Sequence, residues 1–196
     1  MEKMSIIKKM FTPQVGVKHN VEYVLRDKDG KLKKMFQPNI ITQFGLKLGF
    51  ISPNHPKNFL FGHWSNKMSL GNLVTNAGKA GVSSRINGAG GAAAFTYIAL
   101  GTGTTAAAAT DTTLQTELST SGLGRANSTA TQVTTSVTND TAQLVNTFSV
   151  TGTAAVTESG VLNAASVGTL LCRQVFSAIN VVNGDSLQIT WKVQAS

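Results

Sequence analysis

The chain has 196 residues, 41% hydrophobic and only 13% charged, with 19 glycines and one cysteine. That length supports one domain with its own core, since domains mostly run about 100–150 residues, and the low charge excludes a highly charged disordered protein. The single Cys172 excludes an intrachain disulfide and a cysteine-based zinc site; no window nears the roughly 20 apolar residues of a membrane-spanning helix; and Met1–Met10 carry lysines without the apolar run of a secretory leader, so none is expected.

The net charge of +8 is unevenly placed: residues 1–85 hold 14 Lys/Arg against 4 Asp/Glu, and residues 86–196 hold 3 against 5. All Pro, His and Met lie before Ala80, whereas Thr, Ala, Gly, Val and Ser dominate afterwards. The shift predicts a basic N-terminal arm and hairpin region over 1–86, a Gly/Ala-rich linker over 87–94, and an almost uncharged domain over 95–196.

In chain order, Val21–Leu25 reads as a strand, Asp27-Lys28-Asp29-Gly30 as a turn and Lys31–Phe36 as a returning strand, because Gly accepts the positive φ of a tight hairpin turn. Pro38–Thr42 can start a helix capped at Thr42, although Phe44, Leu46, Leu48 and Phe50 fit helix and strand equally. Residues 52–67, with Pro53, His55, Pro56, His63 and Trp64, read as an irregular loop. Phe95–Leu100 is a predicted strand, and Ala108–Leu118 a predicted short helix capped by Thr110 or Asp111. Strands follow near 131–138, 142–151, 154–163, 169–182 and 186–194. Asn183-Gly184 requires a tight turn before the last of them, where Leu187, Ile189, Trp191 and Val193 alternate onto one face. Phe148 and Trp191 are expected in the core. The class implied is mainly β: an antiparallel sandwich or jelly-roll-like C-terminal domain with one short helix, preceded by a basic hairpin and arm.

The chemistry-bearing candidates are sparse. Gly101-x-Gly103-x-x-Ala106 has the spacing of a dinucleotide fingerprint between an expected strand and an expected helix, but the Thr-rich strands after it lack alternating βαβ units, so a simple turn and helix start is the better account. Gly71–Lys79 fails as a phosphate loop, because six residues rather than four separate Gly71 from Gly78 and Ala80 stands where Ser or Thr would hold magnesium. His19, His55 and His63 show no metal-ligand spacing. Asp111, Glu117, Asp140, Glu158 and Asp185 are scattered through turns and caps, which reads as structural, because acid/base catalysis needs convergent groups. No catalytic, cofactor or metal residue is assigned. The basic set Lys3, Lys8, Lys9, Arg26, Lys28, Lys31, Lys33 and Lys34 is the candidate partner-binding surface. Only Tyr23 and Phe36 lie near it, fewer aromatics than single-strand recognition uses, so an acidic protein partner is favoured over nucleic acid.

Five pieces carry a resemblance: Tyr97-Ile-Ala-Leu-Gly-Thr-Gly-Thr-Thr, Ala109-Thr-Asp-Thr-Thr-Leu-Gln-Thr-Glu-Leu, Val156-Thr-Glu-Ser-Gly-Val-Leu-Asn-Ala, Leu171-Cys-Arg and Val182-Asn-Gly-Asp-Ser-Leu-Gln-Ile-Thr-Trp. In this order, over roughly residues 95–194, they resemble a recurrent module of tailed-bacteriophage virion proteins. Val24–Leu32 and Pro38–Leu46 resemble the leader that often precedes it. The resemblance implies a structural or assembly role in the virion, with other virion proteins and further copies of the chain as partners, no membrane, and no catalytic residues to carry over. A capsid decoration or cement protein is the first expectation and a tail, neck or fibre-anchoring subunit the second. A nucleic-acid-binding protein acting through the basic arm, and a sugar-binding tip using Trp64 and Tyr97, are the remaining alternatives.

Overall fold

The computed structural model describes residues 17–39, 41–42, 45 and 62–195. They form two antiparallel sheets packed face to face, a small two-stranded ribbon, and a helix. In chain order the strands are β1 (Val17–Arg26), β2 (Leu32–Lys33), β3 (Met35–Pro38), β4 (Gly62–Ser65), β5 (Met68–Gly71) and β6 (Leu73–Val74); then come helix α1 (Asn76–Asn87) and β7 (Tyr97–Gly101), β8 (Ala126–Asn127), β9 (Thr129–Val133), β10 (Thr141–Ser149), β11 (Ala154–Leu162), β12 (Leu170–Val181) and β13 (Ser186–Ala195). The first sheet runs β2-β1-β13-β10-β9, with β5 also on β1; the second runs β6-β12-β11-β7-β8; β3 and β4 make the ribbon.

Alternation builds the first sheet. Leu187, Ile189 and Trp191 of β13 point inward, opposite Phe148, Asn146 and Leu144 of β10 on one side and Leu25, Tyr23 and Val21 of β1 on the other. Phe148 and Trp191 are buried, as expected, and Trp191 is fully so. The second sheet does not alternate: β11 is buried continuously from Val156 to Leu162. Both its faces are covered, one by the first sheet and the other by the segment 102–117, whose Leu114 packs on Ala99, Leu162 and Leu170.

The basic hairpin is not an appendage, which corrects the expected division into an arm over 1–86 and a domain over 95–196. β1 pairs with β13 along ten residues, Val17↔Ala195 to Arg26↔Ser186. Tyr23 crosses the sandwich, its hydroxyl 2.7 Å from Ser159 Oγ and its ring 4.5 Å from that of Phe176. β5 joins the first sheet and β6 the second. The described residues before Asn87 therefore share one core with those after it, because a strand with one apolar face needs the opposite sheet to bury it.

The expected linker over 87–94 is a helix end folded back on itself. Gly88 caps α1 in the left-handed conformation, φ +72°. Ser84 Oγ donates to Ala89 O and accepts from Ala92 N, while Asn87 Oδ1 accepts from Ala89 N. Sequence periodicity missed α1 because its buried residues are Gly78 and Gly81. A Cβ at Gly78 would fall on the backbone of Leu171, and one at Gly81 would meet the Phe95 ring. The helix thus approaches β12 through two glycines, with Val82 beside them packed against the core, too little for a hydrophobic period to register.

The Asp27–Gly30 turn is present: Gly30 has φ +78°, and Asp27 Oδ1 accepts from Asp29 N and Lys31 N. The returning strand breaks in two. β2 pairs with β1, and β3 leaves to pair with β4, so Gly62–Ser65 is strand rather than loop. Asn39 Oδ1 accepts an amide proton from Thr42 N at 2.9 Å; most of the expected helix beyond Thr42, and residues 52–61 of the expected loop, lie outside the described residues. The predicted helix over 108–118 is absent: that segment is irregular and wraps a buried ion pair. The strands expected near 131–138, 142–151, 154–163, 169–182 and 186–194 correspond to β9–β13. However, the Asn183-Gly184 turn, with Gly184 at φ +90°, links β12 to β13 across the two sheets rather than closing a hairpin.

Candidate functional site

Four of the five motif pieces meet at Glu158, on the outer face of the second sheet. A register shift between Val156 and Glu158 turns Glu158 away from the central core and toward the 102–117 segment. Its carboxylate is fully buried and saturated. Oε1 accepts from Gly103 N at 3.0 Å and Thr116 N at 2.7 Å, and Oε2 accepts from Gln115 N at 3.0 Å and Arg173 Nε at 2.8 Å. Arg173, also buried, donates through Nη1 to Asp111 Oδ2 at 2.9 Å and through Nη2 to Thr105 O at 3.0 Å. Thr157 Oγ1 donates to Gly103 O, and Gln115 Oε1 accepts from Thr104 N and Thr105 N, both at 2.8 Å.

This arrangement accounts for the glycines. A Cβ on Gly101 or Gly103 would fall on Glu158 Oε1, and one on Gly160 would press into Leu114, Leu170 and the Cys172 carbonyl. The Gly101-x-Gly103 spacing therefore serves a carboxylate within the chain rather than a dinucleotide phosphate. With four donors on two oxygens, Glu158 has no acceptor capacity left.

The other acids of residues 86–196 are likewise engaged. Asp111 Oδ2 also accepts from Ala108 N. Glu117 binds Arg125 through two hydrogen bonds, 2.8 and 2.7 Å, while Arg125 Nη1 donates to the carbonyls of Ala164 and Val167 in the β11–β12 turn. Asp140 closes the β9–β10 turn by accepting from Thr135 N, Ser136 N, Val137 N and Gln194 Nε2. Desolvation works upward on its carboxyl, but those hydrogen bonds dominate and hold it well below the usual carboxylate range. Asp185, almost fully buried, accepts from Val182 N at 2.9 Å and Lys33 Nζ at 2.6 Å across the β12–β13 arch.

The basic set divides. Lys3, Lys8 and Lys9 lie outside the described residues. Lys33 is taken up by Asp185, so it locks the hairpin to the arch rather than presenting its charge to a partner. Arg26, Lys28, Lys31 and Lys34 are exposed around the β1–β2 turn. Two of them are engaged locally, Arg26 Nη1 with Gly30 O at 3.1 Å and Lys28 with its neighbour Asp29 at 2.9 Å. Trp64 is 56% exposed on β4, edge-on to Phe36, whereas Tyr97 packs into the outer cluster of the second sheet. His63 is exposed on β4; the side chain of His19 and all of His55 lie outside the described residues.

Burial pushes the Tyr23 hydroxyl and the Cys172 thiol up, placing both in their neutral forms within the core. Among the described residues, no group of three His, Cys, Asp or Glu is placed to hold a metal, and no helix is long and apolar enough to cross a membrane. What sequence reasoning missed was the convergence of the acids on the loops. The usable signal was Glu158 beside Gly160, since a buried carboxylate needs both a cation and close backbone donors.

The fold and its clamp define a class, an antiparallel β-sandwich whose charged groups staple loops to sheets. Compared with known proteins, the chain matches no family model, no curated protein and no solved structure.

Proposed function

We propose that the protein is a non-enzymatic virion structural protein of a tailed bacteriophage, placed on the capsid as a decoration or cement subunit. One observation carries this reading: the motif pieces that resemble the phage module converge on a clamp with no free acid or base, as suits a rigid scaffold that presents surfaces. The scaffold offers a neighbouring subunit the exposed cations of the β1–β2 turn, Arg26, Lys28, Lys31 and Lys34, together with the segment upstream of β1. Because β1 is woven into the first sheet, anchoring through this turn leaves the sandwich intact.

The test is the copy number of the chain in purified virions, measured by quantitative mass spectrometry against the major capsid protein. Hundreds of copies are expected. About a dozen would move the protein to the neck, tail or fibres, the second placement implied by the resemblance. Absence from the particle would sink the virion reading and leave the exposed cations to be tested for salt-dependent DNA binding.

A further inference from the structure

The sheets end in strands that are treated very differently. β2, β6 and β8 are only two residues long, which leaves little backbone to template another strand. β5 is longer, but Gln37 reaches across and covers its outer side, accepting from Ser69 N at 2.8 Å and donating to Ser69 O at 3.2 Å, as a neighbouring strand would. β9 has none of these protections. Its five residues pair with β10 on one side only, and among the described residues no hydrogen bond reaches the other side. It carries no proline, and residues 126–139 carry no charge.

β9 is also exposed on both faces from Thr129 to Gln132, with Val133 half-buried. Ala130 lies opposite Leu144 and so shares its core-side face, yet Leu144 is buried and Ala130 is exposed. On the other face stand Thr129, Thr131 and Val133, three β-branched residues at alternate positions. Beside them, in the β9–β10 turn, Val137 is 68% exposed.

We infer that β9 is an interface strand that pairs antiparallel with β9 of a second copy of this chain, about a two-fold axis at Thr131, to make one sheet continuous through both copies. The sequence of the strand selects that occupant. A dyad at Thr131 sets Thr131 against its own copy and Thr129 against Val133, so β-branched residues meet β-branched residues on one face, a favourable cross-strand pairing. With no charge along the strand, self-pairing creates no repulsion, and an oppositely charged partner finds nothing to complement. The inference does not rest on the virion reading, and it is tested on the isolated chain.

The experiment is multi-angle light scattering of the full chain, with three variants whose folding is checked by circular dichroism. The wild type is expected to have the mass of two chains. Thr131→Lys, which sets two like charges opposite one another on an exposed strand, is expected to weaken association by about tenfold or more and give a monomer. Asn180→Lys, which adds the same charge at an exposed position on β12, is expected to remain dimeric. Thr131→Cys is expected to form an intermolecular disulfide under mild oxidation, because antiparallel partners bring Cα atoms to about 4.5–5.5 Å, within disulfide reach; the native Cys172 is buried and does not compete. A monomeric wild type at its highest soluble concentration would overturn the inference. So would association that survives Thr131→Lys, or assembly that continues beyond two copies.

Discussion

The two halves of the chain differ in how many of their charges they spend on their own structure. In residues 86–196, every acid and both arginines are bound to another part of the same chain, and of the charged side chains there only Lys192 has no such partner among the described residues. In the described basic region, Lys33 and the Glu22–Lys67 pair are bound internally, but Lys31 and Lys34 are exposed without a partner among the described residues, and Arg26 and Lys28 reach only their own turn. A charge fixed in the interior holds structure because removing its partner strands an ion away from water. A charge on an exposed turn is screened and contributes little to stability. The difference explains how a sandwich that is nearly uncharged in composition still depends on its few charges.

The comparison breaks most sharply at Arg173. Arg173→Met is expected to destabilise the protein by about 3–5 kcal/mol, because it leaves the fully buried Glu158 carboxylate without its cation. Lys31→Ala, on the exposed turn, is expected to change stability by no more than about 0.5 kcal/mol. Urea denaturation of the two variants checks both, and equal effects would erase the distinction between the halves.

A smaller effect sharpens the account of the clamp. Gly103→Ala places a methyl against Glu158 and Gln115 and is expected to cost about 1–3 kcal/mol, while Gly71→Ala, where the added Cβ meets nothing within 4 Å, should cost less. A loss at Gly71 as large as at Gly103 would mean that strand geometry rather than the carboxylate demands the glycines.

The smallest effect is read against pH. Asp140 is held below its ordinary carboxylate range, so its contribution is fully present above an unfolded pKa of about 3.9 and is withdrawn as pH falls through that value toward its native one. Asp140→Asn should therefore differ from wild type at neutral pH and converge with it in acid. Denaturation midpoints for both proteins between about pH 6 and pH 2 check the sign. A gap that widens on acidification would contradict it.

Much of the sandwich is legible locally. The alternation of Leu187, Ile189 and Trp191 fixes which face of β13 is buried, because a strand presents alternate residues to opposite sides. The Asp27–Gly30 turn is legible because few residues besides Gly tolerate its φ of +78°. The candidate site was legible only in pieces. Gly103, Asp111, Glu158 and Arg173 are visible as motif residues, but their meeting is not, since the segment 102–117 that unites them has no periodicity and only its second half, from Ala108, carries a helix signal, which points away from an irregular wrap.

By itself, then, the sequence determined the class, most of the strands and the turns that separate them, all properties set within a few residues. The tertiary structure alone decided that β12 and β13 lie in different sheets, that the basic hairpin completes the core, and that Lys33 belongs to Asp185, 152 positions away in the chain. The reason is physical. Backbone propensity and patterning act locally, whereas the choice of strand partner and of counter-ion depends on which apolar faces and buried charges the folded chain must satisfy together.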